Sequence, residues 1–159
     1  MSNSVFLRDV VESDLSIFFE QQLDWSANQM AAFTAREPSN RDAFSTHWSK
    51  LLRDDTILKQ TILFNGQVAG HVLSFEHMGQ RQVGYWLGQE YWGKRIATRA
   101  LAAFLEQVKI RPLYAQVAKD NVGSRRVLEK CGFRICGEDK GFSNARWMEV
   151  EEFLLTLEG

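Results

Sequence analysis

A glycine turn followed by two cationic side chains is the part of the sequence whose residue types most directly suggest chemistry. Residues 83–87 are apolar and aromatic, as in a buried strand, and from Lys94 onward the apolar residues recur along one face of an α-helix. The first N–H groups of a helix lack intrahelical partners, and the helix dipole adds partial positive charge there. With Gly93 in the turn and Lys94 and Arg95 beside it, this segment predicts a phosphate or pyrophosphate site.

Periodicity elsewhere in the chain predicts the elements that must position this turn. Ser13 is expected to cap a first helix, whereas residues 25–39 show no regular pattern. Asn65 and Gly66 tolerate positive φ and predict a hairpin turn. Strands are predicted at residues 5–10, 56–64, 67–76, 81–87, 113–117, 133–138 and 146–157, and helices at residues 13–23, 40–52, 94–108 and 122–131.

The order of these elements predicts one mixed α and β domain spanning residues 1–159. Short connections between the central strands indicate an antiparallel meander. Strand 81–87, the helix after it and strand 113–117 imply a right-handed crossover between parallel strands. A polar loop containing Gly137 and Gly141 is expected between the last two strands.

The bulk composition excludes several classes of function. A net charge of −1 gives no overall positive field that would favour nucleic acid as a partner. Cys131 and Cys136 are expected to be reduced, and neither a disulfide nor a metal site is predicted. The sequence shows no signal peptide and no apolar run long enough to span a membrane. We therefore expect a cytoplasmic protein without a metal cofactor.

The stretch YWLGQEYWGKRIATRAL, residues 85–101, resembles the acetyl-CoA-binding motif of the GNAT superfamily of N-acetyltransferases. It is most similar to the branch of the ribosomal-protein alanine acetyltransferases. The family pattern Gln/Arg-x-x-Gly-x-Gly/Ala falls on Trp92 to Ala97, where Ala97 matches and Gly93 is a frequent glycine. Arg95 departs from the pattern, because the family usually has its central glycine there. An arginine in an ordinary helical conformation is expected to be tolerated at this position.

A second segment resembles the same family. Asn121, Ser124, Lys130, Gly132 and Phe133 match the pattern Asn-x-x-Ser/Ala followed by Lys-x-Gly-Phe. The two motifs occur in the family's order, and the likeness covers nearly the whole chain. It implies an α+β GNAT-like fold, with a mixed, mostly antiparallel sheet that is splayed at the cofactor site and flanked by about four helices.

The resemblance also implies where acetyl-CoA would bind as co-substrate. Its pyrophosphate would lie on the N–H groups of residues 93–98, and its pantetheine arm would lie in the splay between strands 81–87 and 113–117. The cofactor-binding residues implied are Trp86, Leu87, Gly88, Trp92, Gly93, Lys94, Arg95, Ile96, Ala97, Thr98, Asn121 and Ser124.

Acetyl transfer from a thioester to an amine requires a polarised carbonyl, a neutral amine and a stabilised thiolate. By resemblance, Asn121 holds the pantetheine arm or a bridging water, and Ser124 donates a proton to the thiolate. The alternatives are that Asn121 is only a helix cap and that Ser124 only touches the cofactor. Many family members use a tyrosine acid from the helix that carries this serine, but here the nearest tyrosine is Tyr114.

The general base is left open by the sequence. Members of this branch often carry a glutamate where this chain has Gln82, which cannot accept the proton. Glu76 is the candidate base, ahead of His77 and Glu90, and its alternative is a solvated carboxylate at a strand end. Ordered water could also remove the proton.

Three functions compete at this stage. The first is an N-acetyltransferase, a monomer or homodimer, acting on the primary amine of a protein N-terminus or small molecule. The second is a non-catalytic acyl-CoA-binding or sensing domain, which is favoured by the departures from the family pattern at Arg95 and Gln82. A nucleic-acid or phosphate-binding module is the weakest, because the chain is almost neutral.

Overall fold

A computed structural model describes residues 4–159 of the chain. The strands are β1 (Val5–Asp9), β2 (Leu58–Phe64), β3 (Gln67–His77), β4 (Gln80–Leu87), β5 (Leu113–Ala118), β6 (Arg134–Ser143) and β7 (Met148–Leu157). The α-helices are α1 (Leu15–Gln22), α2 (Trp25–Ala31), α3 (Arg41–Arg53), α4 (Ile96–Gln107) and α5 (Val122–Lys130). Short 3₁₀ turns lie at Glu12–Asp14 and Gln89–Tyr91.

The seven strands form one sheet in the order β1-β2-β3-β4-β5-β7-β6. Every neighbouring pair is antiparallel except β4 and β5, which are parallel. That pair meets at a single position, Gln82 opposite Tyr114, so the two strands diverge beyond it. The predicted α+β fold, its parallel pair and its splay are therefore confirmed.

Helices cover both faces of this sheet, as two separate apolar clusters show. Val72 of β3 belongs to the main core, which contains Leu101 and Phe104 of α4. Its neighbour Leu73 packs against an aromatic cluster that contains Phe18 of α1 and residues of α3. Because successive strand residues point to opposite faces, α4 lies on one side of the sheet and α1 with α3 lies on the other.

Two predicted helix boundaries were wrong. Ser13 does not cap α1, which begins at Leu15, because the preceding residues form a 3₁₀ turn. Asp14 organises that turn: its carboxylate accepts a hydrogen bond from the Val11 N–H at 3.0 Å and pairs with Arg8 at 2.7 Å. Similarly, α4 begins at Ile96 and not at Lys94, because the turn before it is left-handed.

The count of helices and one loop also differ from expectation. Within residues 4–159 there are five α-helices, since the segment without periodicity contains α2, capped by Asp24. Gly137 and Gly141 lie inside β6 and not in a loop. The strand was predicted only to residue 138, and its second half escaped recognition because β6 lies at the edge of the sheet, where most of its side chains are exposed. No helix of the described residues is long and apolar enough to cross a membrane.

Candidate active site

The splay between β4 and β5 opens into a cavity of about 540 Å³, bounded by the end of β4, the start of α4 and the start of α5. We call it the α4 cavity. Ten of the predicted cofactor-binding residues line it: Trp86, Leu87, Trp92, Gly93, Arg95, Ile96, Ala97, Thr98, Asn121 and Ser124. Two do not. Gly88 is buried and donates its N–H to the Ala69 carbonyl, and the Lys94 ammonium lies 6.0 Å over the Phe64 ring.

The turn before α4 is built from left-handed residues. Gly93 has φ +75°, which glycine adopts without steric cost, and Arg95 has φ +62°. The expectation of an ordinary helical conformation at Arg95 was therefore wrong. A non-glycine residue in this region costs about 1–2 kcal/mol. Trp92 fixes the turn to the preceding strand by donating its indole N–H to the Leu87 carbonyl at 2.9 Å.

The α4 cavity is cationic. Arg95, Arg126 and Lys130 line it, and its one acidic lining residue, Asp120, is already paired. Both carboxylate oxygens of Asp120 accept hydrogen bonds from Arg146, at 2.7 and 2.8 Å. That guanidinium holds the pKa of Asp120 below its ordinary value. Three unbalanced cations beside the start of α4 suit a ligand with several negative charges.

Asn121 and Ser124 lie together at the start of α5, as predicted. The Asn121 side chain accepts a hydrogen bond from the Ser124 N–H at 3.3 Å and so caps the helix, while it also lines the cavity. The Ser124 hydroxyl lies 3.0 Å from the hydroxyl of Tyr85. Burial raises the pKa of Tyr85, and its hydrogen bond with Ser124 opposes that rise. The phenol therefore carries its proton at neutral pH.

Tyr85 was missed as a site residue, because a tyrosine acid was sought only on the helix that carries Ser124. The tyrosine comes instead from β4, across the splay. Its position within the GYW triplet of the first motif was the signal that could have identified it. Tyr114, the tyrosine nearest in sequence, lines neither this cavity nor the next.

A second cavity of about 310 Å³ adjoins the first, and we call it the β7 cavity. The two share five lining residues: Ala31, Tyr85, Trp86, Asn121 and Ser124. The β7 cavity adds the aromatic rings of Phe33 and Phe75, the side chain of Gln82 and one carboxylate, that of Glu152. The Ser124 hydroxyl therefore lies where two chambers meet.

One polar atom at this junction has no partner within the described residues. The indole N–H of Trp86 is buried and makes no hydrogen bond with any of residues 4–159. Trp86 lines both cavities. A buried donor of this kind is costly unless a ligand accepts its hydrogen bond.

The predicted base is not brought to this site. Glu76 is exposed near the end of β3 and lines neither cavity, and His77 and Glu90 are also exposed and outside the lining. The buried carboxylate nearby belongs instead to Glu152, on β7, which no motif marked. Among residues 4–159, no group of three or more His, Cys, Asp and Glu side chains could hold a metal ion.

The helix α2 forms a wall beside both cavities, and the loop between β6 and β7 fastens it. Arg146 donates from Nε to the Gln29 carbonyl at 2.8 Å, and the Gln29 amide donates to the Ala145 carbonyl at 2.6 Å. The same Arg146 holds Asp120 at the start of α5. One arginine thus connects α2, α5 and the hairpin loop.

Comparison with known proteins agrees with this arrangement. A family profile described as Acetyltransferase (GNAT) domain matches residues 4–134, which is most of the chain. The protein belongs to the GNAT acetyltransferase family. One relative of this GNAT protein is "Putative ribosomal N-acetyltransferase YdaF" from Bacillus subtilis (strain 168), 26% identical over 113 residues, or 64% of this chain. The match spans 61% of the length of YdaF. YdaF is named as a ribosomal N-acetyltransferase, and the first motif of this chain resembles the ribosomal-protein branch of the family.

Solved structures share the GNAT fold. RimJ of Mycobacterium smegmatis, in complex with CoA-disulfide, has a TM-score of 0.81 at 24% identity, covering 98% of this chain and 82% of RimJ. A spermidine N-acetyltransferase from Vibrio cholerae, in complex with CoA and spermine, has a TM-score of 0.78 at 18% identity, covering 96% and 95%. At these identities the likeness establishes the fold.

Proposed function

We propose that this protein transfers an acetyl group from acetyl-CoA to a primary amine of a protein N-terminus or a small molecule. The observation that carries the proposal is the position of the Ser124 hydroxyl. It lies 3.0 Å from the Tyr85 hydroxyl, at the junction of a cationic cavity and a second cavity that contains a carboxylate.

The α4 cavity fits the phosphates and the pantetheine arm of CoA. The N–H groups in the first turn of α4 can bind the pyrophosphate, assisted by Arg126 and Lys130. Beyond Gln82, the edge of β4 that faces β5 is unpaired and can bond to the amides of an extended arm. The unpartnered indole N–H of Trp86 offers one further donor to the same arm.

The reaction then needs an acid near the sulfur. Bound acetyl-CoA supplies a thioester whose carbonyl carbon is attacked and whose thiolate departs. Ser124 donates its hydroxyl proton to that thiolate, and Tyr85 donates in turn to the serine oxygen. The raised pKa of Tyr85 supports this order, because the phenol enters the reaction protonated.

The amine class of the acceptor is supported by the relatives. One is named for ribosomal proteins and another for spermidine, and both names denote N-acetyltransferases. The acceptor would approach through the β7 cavity, beneath the wall formed by α2. A single-domain organisation over residues 1–159, a monomeric or dimeric state, a cytoplasmic location and the absence of a nucleic-acid partner stay predictions.

Calorimetric titration with acetyl-CoA, followed by measurement of free thiol with a panel of amines, tests the proposal. We expect saturable binding of acetyl-CoA and amine-dependent release of CoA. An absence of binding at high micromolar acetyl-CoA would overturn the proposed function.

A non-catalytic acyl-CoA-binding domain is the second candidate. Arg95 and Gln82 favour it, because Arg95 has a strained backbone where the family usually has glycine and Gln82 stands where members of the branch often carry a glutamate. It predicts acetyl-CoA binding without acetyl transfer to any amine of the panel, which the same experiment measures.

A further inference from the structure

We propose that Glu152 binds the protonated amine of the acceptor and receives the proton that this amine must lose before it attacks. The inference rests on the proposed function, because it assigns the acceptor side of the same reaction. It identifies the acceptors as cationic primary amines and gives the role expected of Glu76 to a different residue.

The position of Glu152 is the first argument. It is the one charged residue that lines the β7 cavity, where it lies with Tyr85, Asn121 and Ser124. The residue is only 8% exposed. A carboxylate that shares a small cavity with the proposed acid is within the same reaction chamber as the thioester carbon.

The second argument is the face of the sheet on which the Glu152 side chain lies. Phe153 packs into the core that contains α4, so the preceding residue on β7 points to the opposite face. Two positions earlier, Val150 packs with Ala32, just after α2, and therefore marks that opposite face as the side of α2. Glu152 thus approaches the splay from the side opposite α4, where an acceptor can enter without crossing the cofactor.

The missing partner is the third argument. Within residues 4–159, the Glu152 carboxylate makes no hydrogen bond or ion pair, whereas that of Asp14, which is also buried, is bonded by Arg8, Thr61 and the Val11 N–H. The Glu152 oxygens are not among the fully enclosed polar atoms that lack a partner, so the carboxylate is open to the cavity that it lines. A cationic ligand in that cavity can therefore reach the carboxylate and pair with it.

The residues around the Glu152 carboxylate indicate which chemical class of ligand would bind there. Phe33, Phe75 and Trp86 line the same cavity, and aromatic faces attract cations. A ligand with an ammonium group on an apolar or extended stem would pair with the carboxylate and pack against the aromatic rings. An amine with a free carboxylate on the adjacent carbon brings negative charge toward Glu152 and is expected to be rejected.

The ammonium group of the acceptor loses two protons when it becomes an amide. The ammonium group gives one proton to the Glu152 carboxylate, and the resulting neutral nitrogen attacks the thioester carbonyl. The new C–N bond forms, the C–S bond breaks, and the thiolate takes a proton from Ser124. The nitrogen loses its second proton as the amide forms, and this proton restores the hydroxyl of Ser124 through the Ser124–Tyr85 pair. Glu152 then releases the proton that it received to solvent, so that one of the two amine protons is balanced by the proton on CoA and the other leaves.

Burial raises the pKa of Glu152, and the charge of Asp139 raises it further. In the sheet, Glu152 is paired with Asp139 on β6 and with the uncharged Ala118 on β5, and Tyr85 shares its cavity. The raised pKa brings the carboxylate closer to neutral pH, where a general base is most effective. As the pH is lowered, kcat/KM should therefore begin to fall at a pH above the ordinary pKa of a glutamate.

Glu152→Gln, with Glu151→Gln as its matched control, tests the inference. Glu151 is adjacent, exposed and outside both cavities, and it pairs with Lys119 on the surface. The acceptors are an amidated tripeptide with a free N-terminal alanine, spermidine, phenethylamine and free alanine. We expect Glu152→Gln to lower kcat/KM for the first three by at least about tenfold and to leave acetyl-CoA affinity within twofold, while Glu151→Gln changes neither.

The wild-type protein gives a second readout that needs no variant. Its kcat/KM should fall as the pH drops through the pKa of Glu152, and Glu152→Gln should lack this acid limb. The inference is overturned if Glu152→Gln stays within threefold of wild type. It is equally overturned if the three cationic amines are neither acetylated nor bound by CoA-saturated protein, or if free alanine is the best acceptor. Failure of acetyl-CoA to bind, by contrast, overturns the proposed function itself.

Discussion

The two cavities of the splay carry opposite electrostatic character although they share five residues. Arg95, Arg126 and Lys130 make the α4 cavity cationic, whereas Glu152 is the one charge in the β7 cavity. Under the proposed function, this contrast would draw a polyanionic cofactor and a cationic amine to different chambers. The Ser124–Tyr85 pair lines both chambers and is therefore the place where we propose that their reacting ends meet.

The two chambers also differ in how the chain builds them. The α4 cavity is lined mainly by two local segments that contain the two sequence motifs, the end of β4 with the turn into α4 and the start of α5, and three residues of α2 complete it. The β7 cavity is assembled from single residues or short pieces of β3, β4, α4, β5, α5, β7 and the end of α2, which are far apart in sequence. A local motif can therefore preserve cofactor binding while the acceptor side diverges, which is how one fold comes to serve many acceptors.

Removal of the acid at the junction should have the largest effect. Ser124→Ala is expected to lower kcat by ~10²–10⁴ with acetyl-CoA affinity almost unchanged, because the hydroxyl acts on the departing sulfur. Tyr85→Phe should reproduce part of that loss, since it removes the hydroxyl that is hydrogen-bonded to Ser124 and that we propose as its proton donor. Steady-state kinetics and calorimetry measure both quantities.

Tyr114→Phe is the matched control for this experiment, because Tyr114 lines neither cavity. An effect of Ser124→Ala below threefold would reject the serine as the acid.

The cofactor chamber can be weakened alone. Lys130→Gln is expected to weaken acetyl-CoA binding by about 3–10-fold, because this cation is exposed and partly screened, and KM for the amine should not change. Arg125→Gln is the control on the same helix, since Arg125 pairs with Glu129 and lies outside the cavity lining. Calorimetry at low and high salt measures the difference, and an equal loss in both variants would contradict a directed site.

The same contrast explains how much of the site the sequence predicted. The phosphate turn and the Asn121–Ser124 pair were found because local rules govern helix starts and glycine turns. Glu152 was missed because β7 inserts between β5 and β6, which brings Glu152 and Ser124 into the lining of one cavity only in three dimensions. Helix α2 was missed because its seven residues are held in place by tertiary hydrogen bonds such as that of Arg146 to Gln29.

Arg95 shows a different kind of failure. Its charge and its place beside the predicted phosphate site could be read from the motif, but its left-handed φ depends on how β4 leads into α4. Propensity alone favours a right-handed conformation for arginine. The structure therefore has strain where the family usually has glycine.

The strain and the charge of Arg95 can be separated by two substitutions. Arg95→Gly should be more stable than Arg95→Ala by roughly 1 kcal/mol, because glycine adopts positive φ without the steric cost. Both variants lose the same guanidinium from the α4 cavity and should weaken acetyl-CoA binding equally, by a few-fold. Urea unfolding and calorimetry measure the two effects, and equal stabilities would show that the turn relaxes around alanine.

The smallest expected effect is on how the stability of the protein changes with pH. The direction of this change should differ between Glu152 and Asp14, whose carboxylate is hydrogen-bonded within the protein. Burial alone would raise the pKa of Asp14, but the hydrogen bonds from Arg8, Thr61 and Val11 lower it. Its stabilising contribution is therefore present above the ordinary aspartate pKa and is lost as the pH falls through the folded-state value. The pKa of Glu152 is raised, so its contribution is present below the ordinary glutamate pKa and is lost as the pH rises through the folded-state value.

Unfolding in urea across pH should show these opposite slopes. Asp14→Asn should destabilise the protein at neutral pH and flatten the loss of stability on the acid side. Glu152→Gln should leave the protein at least as stable as wild type at neutral pH, because the variant no longer buries an unpaired charge. If Glu152→Gln destabilised the protein as Asp14→Asn does, Glu152 would be a structural carboxylate. That result would contradict the proposal that the β7 cavity binds the acceptor.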